Sequence, residues 1–253
     1  MRLRQIALAV RDLATAESTL TRLLGLGRPF RDPGVGVFGL ANAVFAVGDT
    51  FLELLTPVRA NAPAGRWLER FGDGGYMVIF ETREPDGDRA RALRLGARIA
   101  FEAEVGGART IHLHPRDVGG AILSFDAMPT PGEWRWAGPD WRQRAGDGRV
   151  DAIREVELAG PDPQALAIRW AALLGAPVRP AGRGHHRIEL DEGGSIRFAP
   201  DPGRAGAGIT AIALACGDRG RVLAAASELA LPIRGSAVEA LGTRLELDGS
   251  GKG

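Results

Sequence analysis

The chain has 253 residues, 45% of them hydrophobic, enough for one large domain or two ordinary ones with cores of their own. Its formal net charge is +1 and its arginines are scattered, so neither a nucleic-acid nor a membrane-surface partner is expected. Cys216 is the only cysteine, which excludes an intrachain disulfide and fits a reducing compartment. The apolar run at residues 6–10 is too short for a signal peptide and no segment approaches a membrane span, so a cytoplasmic address is expected.

Residues 5–12 (QIALAVRD) read as a strand. Residues 13–24 follow with Leu13, Ala16, Leu20, Leu23 and Leu24 on one helical face. Asp12 is the expected N-cap and Gly25 the expected stop. A hairpin is predicted from residues 43–47 and 50–55 around Gly48-Asp49. Residues 76–82 form an apolar strand, and residues 86–95 a helix ending at Gly96. A second hairpin pairs residues 110–114 with 121–125 around 116–120, which would set His112 opposite Ile122 and Thr110 opposite Ser124. Residues 128–149 contain Pro129, Pro131 and Pro139 with Trp134, Trp136 and Trp141, and show no periodicity. They read as a connection whose tryptophans cap a core rather than bind a ligand.

Residues 155–162 (EVELAGPD) then repeat the opening strand. Asp162 matches Asp12, Pro163 takes the favoured first helical position, and Leu173-Leu174-Gly175 repeats Leu23-Leu24-Gly25. Residues 209–215 are a further strand, followed by a helix from about 219 to 231 stopped by Pro232. Short alternating strands follow each helix, so one βαβββ module is written four times and the fold class is α+β. The expected division is a first domain at 1–128, a linker at 129–150 and a second, degenerate domain at 151–253.

The segments QIALAVRDL at 5–13, TFLELLTP at 50–57 and HLHPRDVGGAILS at 112–124 resemble the vicinal oxygen chelate superfamily of glyoxalase I, methylmalonyl-CoA epimerase, extradiol dioxygenases and bleomycin-resistance proteins. The resemblance covers residues 4–126 well and 151–248 more faintly. It implies modules paired into two cupped mixed sheets, helices on the outer face, and a divalent metal and small substrate on the concave face.

Carried over position by position, it places Gln5 and Glu53 at metal-ligand positions, whereas Met77 stands where the family has histidine and Ser124 where it has glutamate. A thioether and a neutral hydroxyl are poor ligands for a hard ion. Strand alternation adds His112 to the face of Ser124, and Asn42, opposite Leu55, to the face of Glu53. The expected site is therefore Glu53 and His112 as catalytic groups, Gln5, Asn42, Met77 and Ser124 as substrate-binding groups, and Gln5, Glu53 and His112 as the donors for a divalent metal. In the second half the matched positions are Glu155, Arg197, Thr210 and Glu246, where an arginine would repel a metal. His185 and His186 read as surface residues of a hairpin.

Two phosphate-site look-alikes fail on context. The glycine pattern at 34–39 precedes strand-like residues 40–47 rather than a helix, and the GSGKG of residues 249–253 has no helix to aim at a phosphate. Two functions follow. One is a small-molecule-binding protein acting as a lyase or isomerase on a small carbonyl compound through Glu53. The other is a metal-free sequestration protein of the bleomycin-resistance type, favoured by the less polar cup that Met77 and Ser124 make. The degenerate half can also serve as a structural or homodimerisation element.

Overall fold

The computed structural model describes residues 1–249; of the glycine-rich end singled out above, residues 250–253 lie outside the described residues. The first module is β1 (Arg2–Ala9), α1 (Leu13–Leu24), β2 (Leu40–Val47) and β3 (Thr50–Pro57), followed by a helix that the sequence pattern does not announce, α2 (Pro63–Phe71). The second is β4 (Gly74–Glu81), α3 (Pro85–Arg94), β5 (Ile99–Val105), β6 (Ala108–Leu113), a single turn α4 (Pro115–Val118) and β7 (Ile122–Ala127). The third is β8 (Ala152–Gly160), α5 (Pro163–Leu174), β9 (Val178–Pro180), β10 (His186–Glu189) and β11 (Ser195–Pro200). The fourth is β12 (Gly208–Cys216), α6 (Arg219–Glu228), β13 (Ile233–Arg234), β14 (Ala237–Ala240) and β15 (Thr243–Gly249).

The strands form two mixed sheets, one of seven strands in the order β2-β3-β1-β4-β7-β6-β5 and one of eight in the order β13-β14-β15-β12-β8-β11-β10-β9. The fold is thus α+β, with the module duplicated as the repeat implies. Both helix caps of that repeat are present: Asp12 accepts from the Thr15 amide, Asp162 from the Ala165 amide, and Gly25 and Gly175 close their helices in the left-handed region.

The first module departs from the βαβββ pattern. Where its first post-helix strand belongs there is one antiparallel bridge, Phe30 to Val44, and then a 3₁₀ turn at Pro33–Phe38. Pro29 and Pro33 flank the bridge, and a proline has no N–H to give a ladder. The same turn is the glycine pattern set aside above, and strand β2 follows it as expected.

The hairpin β2–β3 turns on two residues, with Val47 opposite Thr50. Gly48 sits there at φ +60°, and an added Cβ would stand 1.9 Å from the Asp151 carbonyl oxygen. Gly48→Ala is therefore expected to cost about 2–4 kcal/mol, combining left-handed strain with a backbone clash. Chemical denaturation would check this, and a cost within about 0.5 kcal/mol, usual for benign surface changes, would refute it.

Two compact units make up the chain, and neither is continuous in sequence. One comprises Gln5–Tyr76, Trp134–Arg154 and the described residues from Ala211 onward; the other comprises Met1–Arg4, Met77–Glu133 and Glu155–Thr210. In the first, α1 buries Ala16, Leu20, Leu23 and Leu24 and packs on α6. In the second, α3 packs on α5, whose Trp170 is fully buried, lies edge-on to Phe80 and Phe198, and donates its indole N–H to the Gly119 carbonyl at 3.0 Å. Each core is thus a helix pair laid on strand faces that are apolar at alternate positions.

Candidate functional site

Three of the expected residues meet in the first unit. Strand β1 runs parallel to β3 with Gln5 beside Phe51 and Ala7 beside Glu53, while β2 runs antiparallel with Asn42 opposite Leu55, as the turn length predicts. The two-residue period puts all three side chains on one face. Gln5 Nε2 donates to Glu53 Oε2 at 2.7 Å, and Asn42 Nδ2 donates to Glu53 Oε1 at 2.7 Å. Asn42 Oδ1 accepts the Asp32 main-chain N–H at 2.9 Å, and Gln5 Oε1 accepts the Trp134 indole N–H at 2.6 Å.

These partners settle how both amides point. An indole and a main-chain N–H can only donate and a carboxylate only accepts, so neither amide can flip without setting like groups against each other. Gln5, Asn42 and Glu53 are 1%, 3% and 5% exposed, and the relay is what makes burying a carboxylate tolerable. Trp134, 1% exposed, stacks on Phe51 with centroids 6.0 Å apart and planes 13° apart, and Trp141 meets the same ring edge-on at 5.1 Å. The linker tryptophans 134 and 141 cap a core as expected. Trp134 is also a polar partner of the site, a role that sequence reasoning missed; a contact 129 residues apart in sequence leaves no local signal.

Met77, His112 and Ser124 belong to the other unit. The hairpin register differs from the expected one: His112 lies opposite Ser124 and Thr110 opposite Asp126. The connection winds one helical turn, α4, and shifts the pairing by two residues. The shift is even, so His112 and Ser124 still share a face. Met77 is buried opposite Ile122 on β4. Ser124 donates to Asp126 and lies 3.3 Å from the Thr110 hydroxyl, so its own hydroxyl is tied into a buried polar row.

The His112 ring packs on Phe101 with centroids 5.3 Å apart, and burial pushes its pKa down to about 4. The unfolded chain therefore takes up this proton more readily, and between pH of about 6.5 and about 4 acid favours unfolding. Because the residue as a whole is only half-buried, the effect is discounted to about 1–2 kcal/mol. Urea titrations should show stability falling as pH drops through that window, and His112→Leu should flatten the fall. An identical fall in the variant would exclude His112 as its cause.

The metal donors expected from Gln5, Glu53 and His112 do not fit a divalent ion as arranged. A ligating glutamine must turn its oxygen to the metal, whereas here that oxygen holds the Trp134 N–H. Both Glu53 oxygens hold amide N–H groups. Among the described residues, no group of three or more His, Cys, Asp or Glu could hold a metal ion.

In the second sheet three of the four matched positions converge around a residue that sequence reasoning missed, Glu157. Arg197 Nε donates to Glu157 Oε2 at 2.8 Å and Nη1 stands 3.2 Å from Glu155 Oε1, while the Thr210 hydroxyl donates to Glu157 Oε1 at 2.8 Å. Arg187 and Ser195 each reach Glu155 Oε2 at 2.8 Å. Arg197 pairs with Glu157 in register just as Glu53 pairs with Ala7, so a guanidinium stands where the first sheet has its carboxylate. The fourth position, Glu246, is paired instead with Arg244 at 2.8 Å.

Duplicated βα modules on two mixed sheets, with a buried amide–carboxylate relay on one of them, define the class of protein. The chain belongs to the glyoxalase-like domain family of the vicinal oxygen chelate superfamily, whose profile matches residues 6–174. Among solved structures, a mutant of 4-hydroxymandelate synthase from Streptomyces coelicolor superposes with a TM-score of 0.69 at 18% identity, over 91% of this chain and 75% of that one. A hypothetical protein from Staphylococcus aureus gives a TM-score of 0.69 at 9% identity, over 98% and 99%. Methylmalonyl-CoA epimerase from Streptomyces coelicolor is 27% identical over 51% of this chain and 99% of its own, with a TM-score of 0.46. No curated protein matches the chain.

Proposed function

We propose that this chain is a metal-free small-molecule-binding protein of the family, with its site at Gln5, Asn42 and Glu53. The observation behind this reading is that the Gln5 side-chain oxygen and both Glu53 oxygens, the oxygens at the first module's ligand positions, each already accept an N–H of the protein. Such a relay holds one carboxylate in a fixed orientation inside a low-dielectric surround, where a single charge dominates the local field. The reading includes a cytoplasmic address, on the ground that Cys216 is the only cysteine. No described helix is long and apolar enough to cross a membrane.

An oriented carboxylate is also what a general base requires, which supports a second reading as a lyase or isomerase acting on a small carbonyl compound through Glu53. Thermal-shift screening of 2-oxoaldehydes, acyl-CoA thioesters, catechols and aromatic antibiotics, each with and without added Mn²⁺ or Zn²⁺, tests both. Stabilisation independent of metal supports the first reading. Stabilisation that appears only with the ion would overturn it, and turnover of a hit without metal would establish the second.

A further inference from the structure

We propose that residues 134–144 form a gate over the Gln5–Asn42–Glu53 relay, with Trp134 as an internal stand-in for a planar aromatic ligand that carries a hydrogen-bond donor on its edge. The inference rests on the reading above. It starts from the burial of the relay: no ligand reaches groups 1–5% exposed unless something covering them moves. Within this unit, the Asp32 amide and the Trp134 indole bond to the relay from outside the sheet. Asp32 is anchored close to the Phe30–Val44 bridge, whose two main-chain bonds measure 2.8 and 2.9 Å.

Trp134 is held differently. It leads into two short 3₁₀ turns, Arg135–Ala137 and Trp141–Arg144. Main-chain bonds from Ala137 to Trp134, Gly138 to Arg135 and Gln143 to Asp140, each 3.0 Å, stay inside the segment. Ring contacts add to these: Trp134 and Trp141 sit on Phe51, the Arg144 guanidinium lies 5.5 Å from the Phe30 ring, and Gly138 packs so closely on Phe30 that a Cβ would fall 2.6 Å from it. Such a segment can lift as a body without breaking a strand ladder, a local opening at lower cost than unfolding.

The chemistry of the displaced group defines the ligand. Lifting Trp134 leaves the flat face of Phe51 and the Gln5 Oε1 acceptor, while the Gln5 amide nitrogen stays turned to Glu53. A ligand recovers both contacts only if it has a flat ring and an edge N–H or O–H.

Hydrogen exchange of the ¹⁵N-labelled indoles tests the gate in the intact chain. Trp134 is compared with the Val10 main-chain amide, fully buried in the same unit and bonded to Leu55 at 2.8 Å, and with the buried Trp170 indole of the other unit. After correction for intrinsic rates, Trp134 is expected to exchange at least ~100-fold faster than Val10, through sub-global opening. Gly138→Ala should widen that ratio. Equal protection of Trp134 and Val10 in both proteins would mean that the indole is released only by unfolding, and there is no gate. For the ligand class, indole should bind Trp134→Ala at least ~10-fold tighter than it binds wild type, and ~10-fold tighter than 1-methylindole, which lacks the donor. Equal binding of the two would overturn the donor requirement. If Trp134→Ala does not fold, Gly138→Ala carries the same pair of titrations. Failure of the parent reading would look different: ligand binding indifferent to Glu53→Gln, whatever the exchange rates.

Discussion

Glu53→Gln is expected to lower ligand affinity or turnover by roughly tenfold to a thousandfold, a general-base contribution being typically 10² to 10⁴. It should also cost about 1–3 kcal/mol of stability, although the two side chains have the same shape. The carboxylate accepts two amide N–H groups, from Gln5 and Asn42. A glutamine offers one oxygen and one NH₂, so one of those donors would face another donor. Neither neighbour can turn round to help, since Gln5 is pinned by the Trp134 indole and Asn42 by the Asp32 amide. Glu246→Gln is the matched control: Glu246 lies beside Ala213 in register as Glu53 lies beside Ala7, yet it is partly exposed and paired with Arg244. It should change stability by no more than about 1 kcal/mol and leave binding alone. Urea denaturation and titration with a screened ligand read both effects. Binding untouched by Glu53→Gln but abolished by Glu246→Gln would move the site to the fourth module.

Arg197→Leu should destabilise the second unit by about 2–3 kcal/mol at neutral pH, somewhat below the 3–5 kcal/mol typical of breaking a fully buried ion pair. The discount reflects the arginine side chain's 25% exposure. The loss comes from what remains behind: Glu155 and Glu157, 6% and 5% exposed, would keep their charges with Arg187, Ser195 and Thr210 as the remaining named partners. Urea denaturation of Arg197→Leu beside Arg197→Lys, which keeps the positive charge, checks this. An equal cost for the two variants would point to lost packing of the guanidinium rather than uncompensated charge.

Strand and helix faces were legible because they are local. The apolar residues of α1, the Asp12 and Asp162 caps and the two-residue turn at Gly48-Asp49 act over a few positions, and each appears where spacing puts it. From the same parity Asn42 could be assigned to the face of Glu53, and the departure from the family's ligand residues at Met77 and Ser124 could be read without any coordinates. The register of His112 was not legible to better than parity. A helical turn inserted between β6 and β7 changes the pairing by two residues and leaves no mark on the alternation.

Only the tertiary structure decided how the polar groups are satisfied. That Gln5 turns its oxygen to Trp134, that Glu53 is shared by two amides, and that Glu157 gathers Arg197 and Thr210 all depend on which strands lie side by side and what packs over them. Periodicity assigns a side chain to a face. Its hydrogen-bond partner is then chosen by the requirement that buried donors and acceptors be paired, and that requirement is met across the fold rather than along the chain.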